Sequence, residues 1–375
     1  MAMQSPNTAP ANLQVRRPMV APIDHLANPT RVDFYAPSDH QSTDPQAAPS
    51  AIRTVMVPLD GSSFGEHAIP RALQIAKLAG AEVKLVYVHV SLDPSYYGRS
   101  RELYSDYEKL LKLPKQEYMA DIMRRVAKIS SVPVTPLLLD GRRISESLCK
   151  TVNAEADLVV MATRGRSPIG RLLWGSVADT LLQETSVPLL LVRGYRSPVD
   201  LTGAPSMLRI LVPLDGSAGG EDILRPVAEI GRVTQGEQTL LRVLPFTGYS
   251  PMQQNHFSLA NHAAQQQDKA LDELEQLVNK SKVQLPRAKT KVMWSAEPPG
   301  EEILAYAERH DVDVIAVATR KRSPLKRLLS TGVADYLIRR ADVPVLVVKP
   351  DREDRRHAAT PSKRSLEDTI EFCKS

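Results

Sequence analysis

Cysteine is nearly missing from this chain: Cys149 and Cys373 are the only two in 375 residues. Two thiols cannot make a disulfide framework, so the fold must rest on packed cores, and a reducing compartment is the expectation. No apolar run approaches the roughly 20 residues needed to span a bilayer. The opening stretch MAMQSPNTAPANLQVRRPMV has no apolar core of secretory type. A soluble, cytoplasmic chain without a membrane partner is expected. Aromatic residues make up 5% of the chain and are not interleaved with its basic cluster RKRSPLKR (320–327). Nucleic-acid surfaces need stacking groups along a basic stripe, so nucleic acid is not an expected partner. No His/Cys cluster suggests a metal site built by the protein. The formal charge of +5 says little about partners.

What is present is apolar substance, at 42%, in a length that suits two domains of about 150 residues with some excess. The excess lies at the ends. Residues 1–50, with APSDHQSTDPQAAPS as their clearest part, carry too little apolar surface to offset ordering entropy, and disorder is expected. The tail 351–375 is highly charged, with SLEDTIEFC as one candidate short helix.

Between the ends the chain is written twice. VPLDGS stands at 57–62 and again at 212–217. TSVPLLLVR (185–193) matches ADVPVLVVK (341–349). MATRGRSPIGRLLWGSVADTLL (161–182) matches VATRKRSPLKRLLSTGVADYLI (317–338) at 13 of 22 positions. A period near 155 residues means domain duplication. The repeat places one domain at 51–195 and a second at 208–350, joined by the linker RSPVDLTGAPSM (196–207).

Each copy alternates short apolar runs with helical patterns. In the first, strands are expected at 54–59, 83–90, 134–139, 157–162 and 187–192. A helix should start with a capping box at Ser63 and Glu66 and run to about Ala79. Another should cover roughly 101–130, interrupted or kinked near Pro114, with further helices near 144–154 and 172–184. The second copy repeats the order, with strands near 209–214, 238–244, 289–293, 313–318 and 344–348. Continuous apolar strands with helical crossovers imply parallel sheets covered on both faces. The expected fold is therefore α/β: two tandem, doubly wound, five-stranded parallel-sheet domains flanked by disordered tails.

Such sheets bind ligands beyond the carboxyl ends of their strands, where the strand order reverses. Pro58, Leu59 and Asp60 end the first strand there. Asp60 either accepts hydrogen bonds from a base or ribose, or is a turn or cap residue, as in many Asp-Gly-Ser strings. The segment from Met161 and Ala162 to Ser176 also falls there. Gly165 and Gly175 would let a phosphate approach backbone N–H groups, Ser176 adds a hydroxyl, and Arg164, Arg166 and Arg171 add positive charge. A loop that merely turns remains the alternative. The pattern is neither the dinucleotide fingerprint nor the P-loop.

These residues resemble the universal stress protein family, whose fold is the adenine nucleotide alpha hydrolase-like one. Its nucleotide-binding members carry an Asp after the first strand and a motif G-2x-G-9x-G-[ST]. Gly165, nine residues, then Gly175-Ser176 match its later part, while Ala162 replaces its first glycine. The resemblance implies ATP or a related adenine nucleotide in the first domain, with Mg²⁺ or Mn²⁺ travelling on the phosphates. Asp60, beside Pro58 and Leu59, would hold base or ribose, and Val90 would contact adenine. Met161, Ala162, Gly165, Gly175, Ser176 and Val177 would form the ribose and phosphate loop, with Arg164 and Arg166 as candidate charge contacts. The second domain keeps Asp215, a candidate second site, but has Lys321, Lys326 and Thr331 in place of the glycines. It is expected to be a degenerate copy. The family's habit of pairing last strands implies an intrachain pseudo-dimer, with a homodimer as a further step and protein partners left open. Three functions compete: a nucleotide-dependent regulatory module, a slow ATPase or autophosphorylating protein, and a scaffold that binds no nucleotide.

Overall fold

The computed structural model describes residues 50–93, 95, 101–164, 176–195, 197–203, 205–217, 221–246, 256–280, 285, 287–319 and 332–349. The first repeat runs β1 (Thr54–Leu59), α1 (Ser63–Glu66), α2 (Ile69–Ala79), β2 (Glu82–Val90), α3 (Arg101–Ala127), β3 (Val134–Gly141), α4 (Ile144–Glu155), β4 (Leu158–Arg164), α5 (Ser176–Glu184) and β5 (Leu189–Gly194). The second runs β6 (Arg209–Pro213), a 3₁₀ turn (Glu221–Ile223), α6 (Leu224–Thr234), β7 (Glu237–Pro245), α7 (His256–Lys280), β8 (Ala288–Ser295), α8 (Pro299–Arg309), β9 (Val314–Ala318), α9 (Val333–Arg340) and β10 (Val345–Val348).

All ten strands lie in one sheet, in the order β3-β2-β1-β4-β5-β10-β9-β6-β7-β8. Within each half the pairing is parallel. The halves meet where β5 and β10 pair antiparallel, at Leu191–Val345, Leu190–Leu346 and Leu189–Val347. Leu190 and Leu346 are fully buried, so two apolar edges that would invite aggregation cover each other. Both repeats belong to one compact unit. The strands alternate between two cores. Val55, Val57 and Leu59 face a layer from α2, α3, α6 and α7, whereas Met56, Val159 and Leu189 face α4, α5, α8 and α9.

The same device anchors the first strand of each repeat. Asp157 Oδ2 accepts from the N–H groups of Arg53 and Thr54 at 2.8 and 2.9 Å. Asp313 Oδ2 accepts from those of Leu208 and Arg209, both at 2.9 Å. Cross-ties then join the halves. Glu229 of α6 accepts from Ser50 Oγ and Ala51 N, ahead of β1, and Arg71 of α2 donates to Ser206 O, ahead of β6.

Two local expectations need correction. The helix expected from Ser63 to Ala79 is two helices, broken at His67 and Ala68, and its cap is Ser62, whose hydroxyl accepts from Gly65 N. Glu66 does not close a capping box, because Arg125 of α3 holds its carboxylate at 2.8 Å. Of the two alternatives at Pro114, interruption is excluded, since α3 stays helical from Arg101 to Ala127. Pro114 and Leu110, whose carbonyl it would leave unbonded, are both exposed, so water can satisfy that group.

Candidate functional site

β1 and β4 mark the reversal of strand order in the first half. They pair only at Val55–Leu158 and Met56–Val159, although β1 continues to Leu59 and β4 to Arg164. Their carboxyl ends therefore part, while β1–β2 and β4–β5 remain paired to the end. A crevice opens at the position where doubly wound sheets take ligands.

Asp60 stands at its mouth, exposed. Its Oδ1 accepts from Ser62 N at 3.0 Å and from Ser62 Oγ at 2.5 Å, which fixes the turn into α1. Oδ2 makes no bond among the described residues, so the carboxylate is oriented by its own turn and still has an oxygen to offer. Gly61 is needed for that turn, with φ +82°, and a Cβ there would sit 3.2 Å from Tyr87 Oη. Tyr87 braces the loop from β2, its hydroxyl reaching Asp60 O at 3.4 Å and its ring packing edge-on to Tyr118 at 6.0 Å. Burial first, and then the charge of Asp60, push the Tyr87 phenol above its usual range, so it stays a neutral donor.

Pro58 is half-buried, Leu59 is core, and Val90 ends β2 with 45% of its surface exposed, an apolar face unusually open for a strand residue. Met161 is buried and Ala162 partly so, on the opposite wall. Ser176 is the first described residue of α5 and is exposed, while Val177 packs on the α4/α5 core. The structure thus brings Asp60, Val90, Ala162 and Ser176 to one edge of the sheet. Gly165, Arg166, Arg171 and Gly175 lie outside the described residues, as do Lys321, Lys326 and Thr331 of the second copy. Arg164 closes β4.

His89 turns away from this mouth. It is fully buried on the α3 side, with Nε2 2.7 Å from Glu108 Oε2 and Nδ1 2.9 Å from Lys115 Nζ. The Glu108 carboxylate also accepts from Leu92 N at 2.6 Å, which pins the chain leaving β2 beside Val90. Among the described residues, no three His, Cys, Asp or Glu side chains are grouped to hold a metal, and no helix is long and apolar enough to cross a membrane.

The second half repeats the divergence, since β6 and β9 pair only at Ile210–Val314 and Leu211–Ile315. Asp215 Oδ1 accepts from Ser217 N at 2.9 Å, the same turn as at Asp60. The difference lies across the loop. At the register of Tyr87 the second half has Arg242, whose guanidinium fills the place a Cβ on Gly216 would take. Glu273 of α7 lies 3.6 Å from that guanidinium.

A model of the universal stress protein family matches residues 51–193 and, again, 207–349. The chain belongs to the universal stress protein family. Similar relatives include a universal stress protein of Methanocaldococcus jannaschii, 30% identical over 141 residues, covering 38% of this chain and 82% of the relative. Another, from Thermus aquaticus, is 30% identical over 142 residues, covering 38% of this chain and 98% of the relative. Among solved structures, a universal stress protein from Archaeoglobus fulgidus superposes with a TM-score of 0.54 at 18% identity, over 79% of this chain and 98% of that one. That likeness concerns the fold. Tyr87 and Arg242, which set the two crevices of this universal stress protein apart, carried no signal in the sequence, because their importance depends on strand register.

Proposed function

We propose that the chain binds an adenine nucleotide, ATP or a close relative, in the crevice of its first half, and that occupancy regulates what it docks to. The observation that carries this is the parting of β1 and β4 beside an oriented carboxylate, Asp60, and an exposed apolar strand end, Val90. An adenine could cover Val90 while its ribose or base bonds Asp60 Oδ2. The Gly165–Gly175–Ser176 spacing would bring phosphates to the start of α5, where helix N–H groups and dipole favour anions. With no acidic cluster among the described residues, a divalent cation would ride on the phosphates and water rather than on the protein. The second half keeps the turn but sets Arg242 across it, which favours a structural or regulatory role.

Calorimetric titration of ATP with Mg²⁺ into the full chain tests this. One site per chain, weakened at least tenfold by Asp60→Ala and by Gly175→Lys, is expected. Two equivalent sites, or none, would refute it.

A further inference from the structure

A second recess, of about 360 Å³, lies between α2, β5 and the linker. That volume falls in the range of small-molecule sites, ~300–1,000 Å³. Its cationic lining comes from Arg71 and Arg193, with the His67 ring beside them. We propose that it binds a small organic anion, a carboxylate or phosphate monoester on a compact apolar body.

Arg71 carries the argument. It is only 9% exposed, yet among the described residues its one hydrogen bond is from Nη1 to the neutral carbonyl of Ser206, at 2.9 Å. No carboxylate described lies within ion-pair distance of it. Asp313 acts on it only from further off, and its Oδ2 is already engaged by Ser206 Oγ and by the N–H groups of Leu208 and Arg209. Burial lowers the guanidinium pKa to about 10, with Asp313 opposing, so it remains charged at neutral pH. A cation so largely buried, with Nη1 paired only to a carbonyl and Asp313 acting from a distance, would gain from an anion in the recess.

The neighbours fit the same ligand. Arg193 donates from Nε to Ala341 O at 2.7 Å and stands 3.5 Å from Asp342, whose side chain is mostly exposed, so its charge is only partly met. His67 donates from Nδ1 to Ser63 O at 2.8 Å, which leaves Nε2 to accept from a ligand hydroxyl such as that of a phosphate monoanion. The one carboxylate in the lining, Asp200, is turned to its own loop by Thr202 N and Oγ1. Pro70, Val192 and Pro205 supply apolar walls. The second copy lacks these two lining residues, since Asp222 and Pro226 stand where the first has His67 and Arg71. Arg71 also ties the linker, and Arg193 the second half, so a bound anion would brace the joint between the halves.

The proposal is independent of the nucleotide reading, and the test separates them. Phenyl phosphate, benzoate and neutral benzamide are titrated calorimetrically into the full chain. One saturable site is expected for at least one of the two anions, the tighter one naming the group the site prefers, and none for benzamide. Affinity should fall at least tenfold in Arg71→Met and in Arg193→Met, but stay unchanged in Gly175→Lys. Circular dichroism checks the fold, and Arg193→Met alone decides the matter if Arg71→Met is unfolded. Failure of both anions to bind, equal binding of benzamide, or loss in Gly175→Lys with retention in the folded arginine variants would overturn the proposal.

Discussion

Leu346→Ala strikes the seam between the halves at its centre. Leu346 is fully buried on β10, opposite Leu190 of β5 and beside Ala316 of β9. Truncating a buried Leu costs roughly 2–5 kcal/mol, with the larger losses where neighbours cannot collapse into the space. Here strands flank the site on both sides and helices cover both faces, so a loss of about 3–5 kcal/mol is expected. Urea unfolding followed by circular dichroism should show one transition at a lower midpoint with an unchanged slope, because both halves share the sheet. Leu190→Ala should cost a similar amount, and the double variant less than the sum, since the two side chains face each other. A loss below about 1 kcal/mol would sink the reasoning. So would a split curve in which the first half keeps its original midpoint.

Gly61→Ala should cost more stability than Gly80→Ala in thermal melts. Both glycines have positive φ, a strain of about 1–2 kcal/mol for an L-residue, but only at Gly61 does the new methyl meet a ring, that of Tyr87. Equal losses would exclude the proposed brace. Burial tends to raise the Glu108 pKa, yet the Leu92 N–H, His89 and Lys112 outweigh it and hold the carboxyl below its ordinary 4.5. Its contribution is thus complete above that value and lost as pH falls through the lower, folded-state value. Glu108→Gln should flatten the acid limb of stability against pH, and an unchanged limb would count against the cluster. Burial, then the charge of Glu184, raise the Cys149 thiol pKa. In a Cys373→Ser background a disulfide reagent should react on the order of 100-fold more slowly with the native chain than with the chain in urea. Fast native labelling would show that this helix opens readily.

The strands and the seam were legible because buried parallel strands are written as continuous apolar runs, and VPLLLV and VPVLVV are such runs at what would otherwise be open edges. The break at His67 was not legible. Nor was the loss of the capping box, since Arg125, 59 residues away, draws Glu66 out of it. The candidate crevice was readable at Asp60 and Val90, which end strands, but not at Tyr87 or Arg242, whose meaning comes from lying opposite a turn in the neighbouring strand. Nothing in the sequence marks Arg71, since burial by a linker 135 residues distant leaves no local trace.

The antiparallel join of β5 to β10 also bears on inheritance. When two identical chains make such a pair, every substitution arrives in both mouths at once, and a change that spoils one spoils the other. Here both partners are encoded in a single reading frame and always meet, so each half accumulates changes alone. Tyr87 against Arg242, and His67 and Arg71 against Asp222 and Pro226, record that freedom. Joining the copies in one chain allows one half to specialise while the other keeps the shared sheet intact.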